Sequence, residues 1–530
     1  MTYTSLAFCF FVTILYIVYY LIPKKFQWTV LLAGSLFFYV YALGLHSLFI
    51  LFTIITIYLG GVTLHSLSEK TSLTVKLNKE VWSKEEKKLF KKNQQRKQRL
   101  VLLLVLVLNF GILAFLKYFG PGIKGLILPL GISFYTFQST GYLIDVYREN
   151  VEAEKNPFKL ALFISFFPQI VQGPIGEYDK LQNQLTEGHD ISWVNFKLGA
   201  QLILWGLFKK LIIADRAVKA ITMFTENGGT ENFPHEGPFG GTTVLFVVML
   251  YALQLYADFS GGIDISRGVA KLFGIDLAIN FRQPYFATTL SDYWRRWHIT
   301  LGAWMKKYVF FSLATSSPFL KMGRYFTKSQ GKEGSQFIKH FGKVLPTAIA
   351  TFIVFILVGI WHGSNLKYLA FGIWNGLVLM ISMILEPVLI SWRNGLRIKE
   401  ESLPYRVFQI IRTFILVLIG YVFDVAVDLK DSFDMIYRCL FNQNISLFLN
   451  EWRSLGLYLG DYLIIVYGMA VLFISSILME KKKINSPGEL TENYRGLVQW
   501  ILILLCILSI LTFGIYGPGY DPAEFVYMQF

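Results

Sequence analysis

The chain has 530 residues, 54% of them hydrophobic, 17% aromatic and only 16% charged, with a net charge of +15. Soluble domains carry about 25% charged residues, so a water-soluble globule is excluded, and the apolar content excludes disorder. Three cysteines without motif spacing (Cys9, Cys439 and Cys506) exclude a disulfide scaffold and leave no metal site to expect.

The apolar runs are continuous and about twenty residues long, the length of a membrane-crossing helix, not the alternating ten-residue segments of a barrel. The first, Leu6 to Ile22, is followed by Lys24 and Lys25. A cleavable signal peptide carries its charges before the apolar stretch, so this run reads as a retained span with its N-terminus outside. Spans two and three fall at Trp28–Leu43 and Leu45–His65. The most polar stretch follows: Lys76 to Arg99, with ten Lys/Arg against three Glu. It reads as a solvated cytoplasmic helix near anionic headgroups, with a docking surface for an acidic partner as the alternative.

Further spans are predicted at Leu100–Phe119, Leu126–Tyr147, Phe196–Phe224, Thr242–Phe259, Pro346–Ile360, Leu366–Leu389, Val407–Phe423, Tyr462–Leu478 and Leu497–Phe513. That makes about eleven or twelve spans in an all-α polytopic membrane protein, with re-entrant and interfacial pieces between them. Between Asn156 and Pro174, and between Asp258 and Pro318, Gly, Pro and charge break the hydrophobicity. Irregular backbone cannot face lipid, so both stretches must be buried in protein or line a cavity. Basic loops at Lys321–Lys343, Arg393–Arg412 and Lys481–Lys483 read as cytoplasmic, and acidic segments at Glu226–Gly241 and Gly517–Phe530 as outside. Both termini are then expected outside. The basic residues follow membrane topology, and nucleic acid is not an expected partner.

Two histidines stand apart from the other five. His362 lies in Gly359-Ile360-Trp361-His362-Gly363-Ser364-Asn365, where one apolar helix ends and the next begins. Gly359, Gly363, Gly372 and Gly376 would leave backbone open to a slender substrate; a hairpin turn with Ser364 or Asn365 as N-cap explains the pattern equally well. His298 lies in Asp292-Tyr293-Trp294-Arg295-Arg296-Trp297-His298. On a helix, Trp297, Leu301 and Trp304 share a face that His298 adjoins. An interfacial helix with a Trp belt is one reading. The other gives Arg295, Arg296, Lys306 and Lys307 the task of holding phosphate at a cytoplasmic mouth. Upstream, Asp258 and Asp264 flank a glycine break at membrane depth. A structural pairing of these carboxylates with Arg267 or Arg282 is expected rather than direct catalysis.

The chain resembles the membrane-bound O-acyltransferase family, in its bacterial branch of alginate O-acetyltransferase membrane subunits and teichoic-acid D-alanyl transferases. The resemblance rests on Phe166-Phe167-Pro168-Gln169-Ile170-Val171-Gln172-Gly173-Pro174-Ile175, Asp258-Phe259-Ser260-Gly261, Asn280-Phe281-Arg282-Gln283-Pro284-Tyr285, Trp294-Arg295-Arg296-Trp297-His298 and Trp361-His362-Gly363. It implies helices around a central tunnel, with residues 1–99 as N-terminal spans and basic loop, 100–390 as catalytic core and 391–530 as C-terminal spans with an aromatic tail. It also implies transfer of an acyl group, expected to be acetyl, from a cytoplasmic thioester to a polysaccharide outside the bacterial inner membrane. His362 would be catalytic and His298 the second, more cytoplasmic site residue. Asp258, Asn280, Trp294, Trp297 and Trp361 would support them, and Tyr527 in the tail would relay the acyl group. Acetyl-CoA or an acyl-carrier protein would be the donor, with no bound cofactor, and an SGNH-hydrolase-like protein the external partner. Lys306-Lys307 stands where relatives usually carry an Arg-Asp pair, and Gly262 where an aromatic is common. Two other classes fit the intramembrane polar residues: a glycan or lipid transporter or flippase, and a scaffold subunit of an export machine.

The chemistry expected at His362 is general-base catalysis. An imidazole with an ordinary pKa of about 6.5 takes a proton readily when neutral, and burial favours the neutral form. The two imidazoles are expected to flank a single passage.

Overall fold

The computed structural model describes residues 2–123, 126, 128–226, 239–328, 336–492 and 496–517. Among these, regular structure is helical throughout, with no strand. Eight stretches are long and apolar enough to cross a membrane: 24–77, 84–118, 241–272, 336–362, 366–384, 403–425, 459–482 and 496–513. The first contains two helices, Lys24–Leu43 and Leu48–Leu77, joined by a short 3-10 turn. A shorter apolar helix, Leu6–Leu21, precedes them. The chain is a multi-pass membrane protein.

It divides into two compact units. One comprises residues 2–203 with Gly262–Ala278; the other comprises Leu204–Gly261 with residues 279–517.

In the first unit, the polar stretch Lys76 to Arg99 is not a separate helix. It holds the end of one membrane helix, a turn, and the start of the next, Lys84–Tyr118. Ser83 and Glu86 form a capping box that starts this 35-residue helix. Such a helix is about 52 Å long, far more than the ~30 Å hydrocarbon core, so its basic first turns project from the membrane. The helix in the predicted span Leu126–Tyr147 begins only at Ile132, after Gly131 at φ +69°, and 14 of its 16 residues are buried. The interrupted segment Asn156 to Pro174 forms two short helices, Pro157–Ser165 and Phe167–Ile170, buried from Leu160 onwards. Its irregular backbone is thus covered by protein.

The predicted break at Ser260-Gly261-Gly262 does not occur: the residues on both sides of it belong to one helix, Gly241–Leu272. The glycine serves close approach instead. A Cβ on Gly261 would lie 2.9 Å from the carbonyl oxygen of Gly206. The glycines near His362 act the same way. A Cβ on Gly359 would sit 2.5 Å from the Tyr368 carbonyl oxygen, and one on Gly376 would lie 2.9 Å from the Phe352 ring. The space read from the sequence as an approach for substrate is filled by the contact between helices Gln336–His362 and Leu366–Ile384.

Candidate active site

The His298 side chain is placed by a broken helix, not by the face of a continuous one. Helix Leu290–Arg296 ends at Trp297, His298 takes the left-handed conformation (φ +44°, ψ +53°), and helix Ile299–Trp304 begins after it. A non-glycine residue held there stores about 1–3 kcal/mol of strain, which the surroundings must offset. They do so with main-chain pairing on both sides: the Arg282 amide donates to the Arg296 carbonyl and the Ile299 amide to the Asn280 carbonyl, each at 3.0 Å. Asn280 completes the turn. Its fully buried side-chain Oδ1 accepts from the Thr300 amide (3.0 Å) and hydroxyl (2.9 Å) and lies 3.3 Å from His298 Nδ1.

The imidazole is buried, with Phe259 edge-on at 4.9 Å between ring centres. Burial pushes its pKa from 6.5 down to about 3, so this ring is neutral at physiological pH. Trp297 packs between Phe281 (5.0 Å) and Tyr293 (5.7 Å). The Trp294 indole donates to Asn375 Oδ1 at 3.2 Å and meets the Phe355 ring at 5.0 Å.

A cavity of about 510 Å³ opens beside this turn, within the usual range for a small-molecule site. Its lining includes Trp294, Trp297 and His298, together with Phe355, Val358 and Leu379. Arg295 and Lys306, both exposed, also line it. Arg296 and Lys307 are not among its lining residues. Arg296 is instead held in ion pairs with Asp292 (3.0 Å) and Glu480 (2.8 Å), and Lys307 sits 5.2 Å from the Tyr308 ring centre.

His362 ends its helix and is buried. Trp361 lies 5.0 Å from it and 6.2 Å from His298, ring centre to ring centre. His362 is not among the residues lining the cavity. The cavity reaches His298, and the Trp361 indole lies near both imidazoles. On its other sides His362 meets Phe371 at 5.1 Å and the near-parallel Tyr368 ring at 6.2 Å. Gly363 makes room for that tyrosine, since a Cβ there would fall 2.6 Å from its Cδ2. Asn365 caps the next helix through the Lys367 amide.

Asp258 is in a buried ion pair, as expected, but with a different partner. Lys210 Nζ lies 2.6 Å from Asp258 and 2.9 Å from Asp215, all three side chains at most 2% exposed. The π-helical segment Phe208–Ala214 supplies this lysine, and its neighbour Lys209 donates to Ser260 at 2.8 Å. Of the expected arginines, Arg267 pairs with Asp264 at 3.6 Å. The sequence did hold a signal: the adjacent Lys209 and Lys210, in the middle of the apolar run from Phe196 to Phe224, demand partners. For Tyr368, Asn375 and Glu480 it held none, because their roles depend on contacts between distant segments. Tyr527 lies outside the described residues. Among the described residues, no group of three or more His, Cys, Asp or Glu is placed to hold a metal ion.

The chain thus combines eight apolar stretches long enough to cross a membrane with a buried histidine at a basic-edged cavity and a second buried histidine near the same tryptophan. Residues 50–327, more than half of the chain, match the profile described as MBOAT, membrane-bound O-acyltransferase family, and the chain belongs to that family. Its relatives include the "Probable alginate O-acetylase AlgI" of Pseudomonas syringae pv. tomato, 30% identical over 61% of this chain and 57% of that protein. The protein of the same name from Pseudomonas putida is 28% identical over 81% of this chain and 84% of its own length. The peptidoglycan O-acetyltransferase of Helicobacter pylori is 30% identical over 54% of this chain and 55% of its own. The matched region thus spans little more than half the length of the first and third of these relatives.

Proposed function

We propose that this protein is a membrane O-acyltransferase that moves an acyl group, acetyl by preference, from a cytoplasmic thioester to a cell-envelope polysaccharide. The observation that carries the reading is the buried His298 on a basic-edged cavity, with Trp361 near both it and the buried His362. Alginate and peptidoglycan acetylation are the activities named for relatives.

A thioester is already activated, so the protein must position it and deprotonate the attacking hydroxyl. Arg295 and Lys306 hold the donor's phosphates at the cavity mouth, and His298 orients the thioester carbonyl. His362 takes the proton from the acceptor hydroxyl as the oxygen attacks that carbonyl. The thiolate leaves with the cytoplasmic half of the donor. Tyr527 is the candidate first acceptor, passing the acyl group to an external SGNH-hydrolase-like partner. The basic loops support a donor side in the bacterial cytoplasm and termini outside.

The test is acyl transfer from labelled acetyl-CoA, or from an acetylated carrier protein, by the purified full chain. Loss of a general base costs about 10²–10⁴-fold, so His362→Ala should nearly abolish turnover while the protein stays folded. Wild-type turnover in that variant would overturn the assignment. For the relay, mass spectrometry should find acyl-Tyr527, and full polymer acylation by Tyr527→Phe would exclude it.

A further inference from the structure

We infer that Glu480 is a positioning residue for the reaction, acting through Arg296 on the left-handed turn that aims His298. This rests on the reading of His298 as the donor-side imidazole.

Glu480 lies near the end of helix Leu459–Lys482, more than 180 residues after His298 and outside the family-matched segment 50–327. One carboxylate oxygen holds Arg296 Nη1 at 2.8 Å, and the other lies 3.6 Å from Arg406 Nη2. Asp292 takes the Nε of the same guanidinium at 3.0 Å, so Arg296 is gripped from two elements. Its main-chain carbonyl in turn accepts the Arg282 amide, one of the two pairings that bracket His298. The neighbouring residue on the helix, Met479, receives the Gln283 side-chain amide at 3.8 Å from its sulfur. Gln283 is itself left-handed (φ +39°). Two strained residues, Gln283 and His298, thus sit on segments tied to one turn of a single C-terminal helix. A residue in this backbone region relaxes when its restraints are removed. An arginine bonded in this way is a strut for the turn, whereas a donor-binding arginine would present its fork to the cavity.

The predicted signature separates the two roles. Glu480→Gln keeps the shape and one hydrogen bond but removes the charge, and Arg296→Lys keeps the charge but removes the fork. Both are purified as the full chain with the wild type. His298 is 3% exposed, so it should react slowly with diethyl pyrocarbonate. Mass spectrometry should find that modification rising at least tenfold in either variant. With acetyl-CoA as the probe, kcat should fall by about 10–100-fold, with KM within twofold of the wild type.

Unchanged His298 reactivity in both variants overturns the inference, as does a raised KM at constant kcat. If the wild type itself transfers no acyl group, the proposed function fails, while the reactivity measurement still decides whether Glu480 fixes the turn.

Discussion

Gly363→Ala is the smallest change that should disable the site without touching either histidine. The backbone at Gly363 lies outside the left-handed region, so alanine is tolerated conformationally. The obstruction is one ring. The new Cβ would meet Tyr368 Cε2 and lie 2.6 Å from its Cδ2. Carbon–carbon contacts settle at about 3.5–4.0 Å, so the ring must shift by about 1 Å. Tyr368 is stacked 6.2 Å from the His362 imidazole, and that shift is passed to the ring expected to take the proton. A misplacement of about 1 Å can cost about 10²-fold in rate, whereas overpacking costs only about 1–3 kcal/mol of stability. The assay pairs acyl transfer by the purified variant with its thermal unfolding. Turnover should fall by about 10²-fold with the protein still folded, and Gly363→Ala/Tyr368→Leu should regain part of it by removing the obstructing ring. Wild-type turnover in the single variant would refute the coupling of Tyr368 to His362.

Three further outcomes follow from the same structure. Lys210→Met leaves Asp215 and Asp258 buried without their lysine and should cost about 3–5 kcal/mol; thermal unfolding should show the triple change with Asp215→Asn and Asp258→Asn recovering most of it, and equal melting of wild type and Lys210→Met would contradict the burial. Gly302 faces the cavity, its nearest obstacle to a Cβ being the Trp294 carbonyl oxygen at 3.7 Å; Gly302→Leu should therefore cut acetyl-CoA turnover at least about tenfold at unchanged stability, and unaltered kinetics would show that the donor goes elsewhere. His298 has a folded-state pKa of about 3 against 6.5 in the unfolded chain, so on acidification only the unfolded chain takes up this proton. Stability conferred by the neutral ring is complete above pH 6.5 and declines below it, by about 1.4 kcal/mol at pH 5.5. His298→Gln should lack that component in parallel melts at pH 7.5 and 5.5, and identical pH dependence would disprove it.

The spans were legible because twenty-residue apolar runs admit few structures in a bilayer. The protein-covered path from Asn156 to Pro174 was legible for the same reason. The pair His298 and His362 could be singled out, but not the left-handed turn that holds His298. A left-handed residue between two short helices leaves little trace when it is histidine rather than glycine. The helical continuity through Gly261 and Gly262 was misread because glycine marks close approach as readily as a break. Partner choice was the other blind spot. Asp258 was correctly expected to need a cation, yet the choice of Lys210 over Arg267 or Arg282 depends on how the π-helical segment turns its lysines.

The helix Lys84–Tyr118 also sets a dimension for the surrounding lipid. Between Arg99 and Lys117 it offers 17 residues free of charge, about 26 Å of rise, and any tilt shortens that projection. An average hydrocarbon layer is about 30 Å thick. Around this helix the acyl chains must compress, or the lysine and arginine stems must stretch outward, at a fraction of a kcal/mol per ångström. Lipids with shorter acyl chains would meet this helix with less compression than those of a thicker layer.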